Sequence, residues 1–357
     1  MTISFLALII GLIGLAWSAD QFIHGAASLA HNLGMSTFII GLTMVALGTS
    51  TPEILVSVMA ALEDAPGLAI GNAVGSSIAN IGLVLGVTAL IANLHVQQQI
   101  IKEDLPIALL VCFGVAALFY DQQLSVFDGF LLLLGFCIYI LFLIRHKAAK
   151  NKLSISANDL AGDDPTVITA LSEKIGQAQD TLEIEEELEE VFTEPSLPTL
   201  QAAYYFIVGL VILLLSSRVL VWGSENIAHH FGISETIIGL TLVALGTSLP
   251  ELATSISSTL KGYHDIAIAN VIGSNTLNML TVLAIPGLLA PSTLEPGIWN
   301  RDLPVMIGLS VLLFLMVFIG KKQTLTWPKG LLLLSVYIGY YIALYQQGID
   351  FSTPKGG

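Results

Sequence analysis

A chain of 357 residues that is 54% hydrophobic, 11% charged and +0.81 in mean hydropathy has little solvating charge. Soluble domains carry roughly 25% charged residues, so a soluble enzyme is excluded, and a net charge of −14 argues against a nucleic-acid partner, which needs clustered Lys and Arg. What remains is a multi-span membrane protein, all-α and in contact with lipid.

A membrane-spanning helix needs about 20 apolar residues. Segments of that kind lie at 3–30, 36–62, 67–93, 106–120 and 127–144. The first lacks the positively charged start of a secretory signal and is predicted to stay as a helix. Residues 145–200 then hold 12 of the 27 acidic and 5 of the 13 basic residues, with no run long enough to span. Their acidic run, Glu183, Glu185, Glu186, Glu187, Glu189 and Glu190, lacks the spaced Asp-x-Asp-x-Asp-Gly ligands of an EF-hand. It predicts a solvated, partly helical linker rather than a calcium sensor. Apolar segments resume at 202–228, 234–260, 265–290, 304–320 and 328–345. The predicted organisation is therefore a first five-helix unit (1–144), an acidic loop (145–200), a second five-helix unit (201–346) and a tail (347–357). Cys112 and Cys137 sit in separate apolar runs and make no disulfide framework. No segment points to an obligate protein partner.

The two units are copies. A shift of 198 residues aligns 41–80 with 239–278 without a gap, and 19 of the 40 pairs are identical; chance gives about three. The same register pairs Gly11 with Gly209, His31 with His229, and Asp104-Leu105-Pro106 with Asp302-Leu303-Pro304. An odd number of spans per copy means that the second enters the membrane from the opposite side. Inverted repeats of this kind are a hallmark of secondary transporters, whose substrate site lies near the midplane between the copies. With ten spans and an outside N-terminus, ten of the 13 Lys and Arg residues fall in inner loops. Cytoplasmic loops carry that excess, so both termini are predicted to lie outside the cytoplasm.

Each copy carries a proline-broken motif inside an apolar helix: Gly48-Thr49-Ser50-Thr51-Pro52-Glu53 and Gly246-Thr247-Ser248-Leu249-Pro250-Glu251. Proline removes one helical hydrogen bond and kinks the chain, freeing the carbonyls of Gly48 and Gly246. Such breaks occur within a membrane where backbone is buried or lines a cavity. On a helix, Ala46, Thr49, Ser50 and Glu53 share one face, and Ala244, Thr247, Ser248 and Glu251 share another. A carboxylate at mid-membrane costs at least ~2.5–3.5 kcal/mol and marks function. A kink with a protonated Glu held between helices explains one such residue but not a matched pair. The next helix of each copy aligns Asn72, Ser76 and Asn80, and again Asn270, Ser274 and Asn278, at intervals of four. The pooled donors are all oxygen. That suits hard cations, and Ca²⁺ takes 6–8 oxygens, whereas zinc or copper recruit Cys or His. A formal charge of −2 balances one Ca²⁺ or two Na⁺, so one cavity accepts either in turn.

The paired Gly-Thr-Ser-x-Pro-Glu and Gly-Ser-(Ser/Asn)-x-x-Asn motifs resemble the calcium/cation antiporter superfamily, in its sodium/calcium exchanger branch of the bacterial inner-membrane type. The resemblance implies ten transmembrane helices in an inverted five-plus-five repeat, with kinked, discontinuous helices at the ion site and alternating access. It implies Glu53 and Glu251 as central ligands and Thr49, Ser50, Thr247, Ser248, Ser76 and Ser274 as flanking ones. Ala46 and Ala244 would contribute carbonyls, and Asn80 and Asn278 fill the remaining central positions. Some family members carry Asp where Asn278 stands here, which bears on stoichiometry. Proton-coupled relatives place their carboxylate in Gly-Asn-x-x-Glu, so the motif favours Na⁺ as counter-ion, with H⁺ or K⁺ coupling as alternatives. The expected substrates are Ca²⁺ and Na⁺, with no cofactor and no enzymatic activity. A cation channel would instead need a continuous pore, usually at an oligomer axis. A hydrolase would need a nucleophile and base at mid-depth, and the seven histidines sit near span ends or loops.

Overall fold

The computed structural model describes residues 2–33, 37–98, 100–160, 197–230, 244–318 and 323–352. The acidic run and the start of the 234–260 segment lie outside them. The chain is helical almost throughout. The first unit contributes α1 (Thr2–Asn32), the broken pair α2 (Gly41–Thr49) and α3 (Thr51–Leu62), α4 (Pro66–Ile91), α5 (Ile100–Asp121) and α6 (Val126–Leu160). The second contributes α7 (Thr199–His230), α8 (Ala244–Thr247), α9 (Leu249–Leu260), α10 (His264–Leu289), α11 (Ile298–Phe318) and α12 (Trp327–Ser352). Among the described residues, eight helices are long and apolar enough to cross a membrane, and α2 with α3 makes a ninth span bent by 47°. The last helix of the first unit runs on to Leu160, so the segment after 144 begins as helix.

Burial sorts these helices by role. The apolar windows of α4 and α10 are 72% and 89% buried, whereas those of the other long helices are 28–35% buried. The outer helices present Leu110, Leu134, Leu215 and Ile338 to their surroundings, a suitable surface for lipid tails. Two central helices wrapped by apolar ones place the deepest polar residues between the two units.

Close backbone approach joins the units. α1 and α7 pack along their length. A Cβ on Gly25 would stand 2.4 Å from the Phe206 nitrogen, and one on Gly209 would stand 2.6 Å from the Phe22 nitrogen. Small residues allow this contact where no hydrophobic effect drives helices together. Elsewhere the partners are exchanged: α6 packs on α10 and α12 on α4.

Two short ribbons tie the loops. β1 (Leu94–His95) pairs antiparallel with β4 (Thr324–Leu325), and β2 (Gln123–Leu124) pairs with β3 (Ser292–Thr293). Each ribbon takes one strand from each unit. Each also joins loops that the Lys and Arg distribution puts on the same side of the membrane.

α5 and α11 start earlier than their sequence suggests. They begin with π-helical turns at Ile100–Asp104 and Ile298–Asp302, ahead of the expected starts at 106 and 304. The charges that look like loop are satisfied locally. Arg301 donates to Asp302 through Nε (2.6 Å) and Nη2 (3.1 Å), and the Tyr340 hydroxyl donates to the same carboxylate at 3.0 Å. Asp104 and Asp302 are both buried.

Candidate ion site

The break in each broken helix falls just before its proline. Ser50 (φ −81°, ψ 7°) and Ser248 (φ −87°, ψ 2°) leave helical geometry, and Pro52 and Pro250 then sit in the first turn of α3 and α9. There the missing N–H has no intrahelical partner to lose. Glu53 and Glu251 stand one residue further on, at the N-terminal ends of the new helices, where backbone dipoles favour negative charge. Both are fully buried.

Asn80 and Asn278 each open a π-helical turn inside a central helix, Asn80–Leu85 in α4 and Asn278–Val282 in α10. Such bulges re-aim side chains and concentrate at functional sites. Thr49, Ser50, Ser76, Ser248 and Ser274 are buried too, as are Asn72, Asn270 and Thr247.

Hydrogen bonds cross from one unit to the other. Thr49 Oγ1 donates to Asn270 Oδ1 at 3.1 Å, and its repeat mate Thr247 donates to Asn72 Oδ1 at 3.4 Å. Ser50 Oγ donates to Glu251 Oε1 at 3.1 Å, and Ser274 Oγ reaches the same oxygen at 3.5 Å. Ser76 Oγ and Thr247 Oγ1 lie 3.4 Å apart. The Ala46 carbonyl accepts the Ser50 amide at 3.0 Å and Thr49 Oγ1 at 3.4 Å, which still leaves its oxygen beside the helix break. Ala244 begins α8, and its backbone holds the matching place.

The unpaired atoms are as informative. Both carboxylate oxygens of Glu53, Oε2 of Glu251, both amide atoms of Asn80 and of Asn278, and Ser248 Oγ are buried with no hydrogen-bond partner. The large majority of buried side-chain polar atoms are normally paired. Eight such atoms fall on five residues of the paired motifs, and the seven others among the described residues lie on Glu103, Thr259, His264, Asn275, Thr281, Ser292 and Tyr337. The two ion pairs formed between described residues, Lys261–Asp20 and Arg301–Asp302, involve neither glutamate. A buried carboxylate without a basic partner is costly. Among the described residues no three His, Cys, Asp or Glu side chains cluster, so the remaining donors are neutral oxygens.

Several supporting contacts escape a motif-based reading. Asn270 Nδ2 donates to Thr254 Oγ1 (3.2 Å) and Ser255 Oγ (3.4 Å), while Asn72 Nδ2 donates to the Glu53 carbonyl (3.2 Å). Ser57 Oγ donates to the Val282 carbonyl at 2.9 Å. Ser57 and Ser255 are mates in the repeat register, one turn beyond each glutamate, and that register was their signal. Ser217 had none. Its Oγ donates to the Gly246 carbonyl at 2.9 Å, so the oxygen that Pro250 frees is capped by a side chain of α7. The matching residue of the first unit, Ala19, has no donor. Ser217→Ala should therefore destabilise the protein by about 1–3 kcal/mol, the cost of a buried acceptor left unsatisfied. Thermal melting of the purified protein checks this, and Ser217→Thr, which keeps the hydroxyl, should lose less.

Comparison with known proteins places the fold in a family. The family model described as "Sodium/calcium exchanger protein" matches residues 3–145 and 201–346, the two helical units without the acidic loop. The putative antiporter CaxA of Alkalimonas amylolytica is 38% identical over 97% of this chain and 99% of its own. Inner membrane protein YrbG of Escherichia coli is 35% identical over 95% of each. Among solved structures, the sodium-calcium exchanger NCX_Mj superimposes with a TM-score of 0.75 at 30% identity, covering 96% of this chain and 98% of that one. The chain is a membrane-spanning member of the sodium/calcium exchanger family, within the calcium/cation antiporter superfamily.

Proposed function

We propose that the protein exchanges Ca²⁺ for Na⁺ by alternating access, with each ion held in turn between Glu53 and Glu251. One observation supports the reading: Glu53, Glu251, Asn80, Asn278 and Ser248, all from the paired motifs, are fully buried and carry oxygens with no hydrogen-bond partner. The ligand set is Glu53, Glu251, Asn80, Asn278, Thr49, Ser50, Thr247, Ser248, Ser76 and Ser274, with the carbonyls of Ala46 and Ala244. Two carboxylates neutralise one Ca²⁺ or two Na⁺, so occupancy is mutually exclusive and transport is obligatory counterflow. The ions are the only small ligands the cycle needs.

The cycle uses ten spans as an inverted repeat, with units at 1–144 and 201–346, a cytoplasmic loop at 145–200 and a tail at 347–357. Exchange of helix partners between units and the two cross-unit ribbons support that arrangement. Both termini lie outside the cytoplasm, across a bacterial inner membrane. Sodium as counter-ion is supported by the motif and by the sodium-calcium exchanger NCX_Mj as a structural relative. Asn at both positions 80 and 278 leaves the two glutamates as the only carboxylates among the proposed ligands.

The test is ⁴⁵Ca²⁺ uptake into liposomes holding the purified protein, with Na⁺, K⁺ and H⁺ gradients imposed separately. Uptake should require internal Na⁺. Uptake driven by K⁺ or H⁺ alone would reassign the counter-ion, and uptake with no exchange ion would make the protein a channel.

A further inference from the structure

Asp20 and Arg218 are mates in the 198-residue register, and so are Glu63 and Lys261. The register therefore maps the ion pair Asp20–Lys261 onto Arg218–Glu63, with the charges exchanged. Asp20 lies twelve residues before the end of α1 at Asn32, and Arg218 lies twelve before the end of α7 at His230. Glu63 and Lys261 each follow immediately after the second limb of a broken helix, α3 or α9.

The two pairs are not in the same state. Lys261 Nζ lies 2.9 Å from Asp20 Oδ1, and Ser257 Oγ donates to the same oxygen at 3.5 Å. α1 packs against α9 around this contact, whereas the matching packing of α7 on α3 is nearly absent. No ion pair joins Arg218 to Glu63, and both are exposed. A repeat whose copies differ in one contact displays two states of the same device in one molecule.

We infer that Asp20–Lys261 and Glu63–Arg218 are alternating latches: each closes one face of the ion site, and one must open before the other forms. The inference rests on the alternating-access reading above. Lys261 falls on the side given to the cytoplasm, so the latch that is closed in this structure is the inner one. In the opposite state α7 closes on α3, Arg218 meets Glu63, and Lys261 releases Asp20. An arginine within the apolar stretch of α7 has a reason to be there, since a charge at that depth is costly without a partner. α1 and α7 pack together along their length, so they carry Asp20 and Arg218 as one body, and a single displacement opens one latch as it closes the other.

A carbodiimide joins a carboxylate to an amine only where the two meet. In wild-type protein in liposomes it should link Asp20 to Lys261. In the Arg218→Lys variant, which keeps the charge, it should also link Glu63 to the amine at position 218. Peptide mass spectrometry reads both links without any flux measurement. Reversing the Na⁺ gradient should raise the yield of one link and lower the other. Absence of the second link under both gradients, or yields that rise and fall together, overturns the latches and leaves the exchanger reading standing. In ⁴⁵Ca²⁺ flux, Arg218→Glu should slow exchange about fivefold or more, and adding Glu63→Arg should restore most of it, the coupling of a contacting pair. No rescue in a normally inserted double variant also counts against the latches. Absence of any exchange in wild-type protein fails the exchanger reading instead.

Discussion

Glu53→Gln or Glu251→Gln should abolish ⁴⁵Ca²⁺ exchange by purified protein in liposomes while leaving the protein folded. Charge balance in a desolvated site sets this outcome. Each substitution keeps size and hydrogen-bonding capacity and cuts the cage from −2 to −1. Ca²⁺ stripped of water then lacks half its counter-charge, inside a bundle where the low dielectric magnifies any imbalance. Na⁺ binding should weaken rather than vanish, because one carboxylate still matches one monovalent ion. Stability should not fall, since removing a buried charge also removes its desolvation cost. Asn80→Ala and Asn278→Ala should be milder, because water can replace a neutral ligand. Protonating either carboxylate has the same effect on charge as the Gln change. Exchange should therefore fall as pH falls, and added Ca²⁺ should relieve the inhibition by competing with H⁺. Near-wild-type exchange in Glu53→Gln/Glu251→Gln would dismiss the proposed cage.

The proposed cage was legible in the sequence because each proposed ligand sits in a short motif that the chain states twice. Glu53, Ser50 and Thr49 follow from spacing around a proline, and Asn72, Ser76 and Asn80 from spacing along one helix face. The duplication made coincidence untenable. Residues that act through the fold were hidden. Ser217 caps the carbonyl freed by Pro250 across a gap of 29 residues, and nothing near it in sequence announces the contact. The π-helical turns that aim Asn80 and Asn278 have no residue signature. The starts of α5 and α11 were misplaced because Lys102, Glu103, Arg301 and Asp302 look like loop until Tyr340 and the Arg301 guanidinium are seen to satisfy Asp302. Where the copies differ, sequence showed a changed letter, Ala19 against Ser217 or Asp20 against Arg218. Only the structure showed which contact that letter makes.

Gly273→Val should cost about tenfold or more in exchange, although it alters no ligand and no charge. Gly273 stands in the Gly-Ser-Asn turn of α10, directly against the first limb of the other unit's broken helix. A Cβ there would lie 2.6 Å from the Leu42 carbonyl oxygen and 2.8 Å from the Ala46 Cβ. The first of these is backbone and cannot rotate away, so α2 and α10 must separate. Overpacking of this kind typically costs 1–3 kcal/mol. The larger consequence is geometric. Ala46 supplies a proposed carbonyl ligand and Thr49 bonds Asn270 at 3.1 Å across that same contact, while the adjoining Ser50 bonds Glu251 of α9 at 3.1 Å. Misplacement by about an ångström can cost a preorganised site tenfold to a hundredfold. Gly273→Ala should fall between valine and wild type, since it adds the Cβ alone. Gly308→Ala is the control, because a Cβ on Gly308 in α11 meets nothing within 4 Å. Wild-type ⁴⁵Ca²⁺ flux in Gly273→Val would mean that the contact between α2 and α10 yields without disturbing the ligands. The cage would then owe its geometry to the two broken helices alone and not to the central helices packed against them.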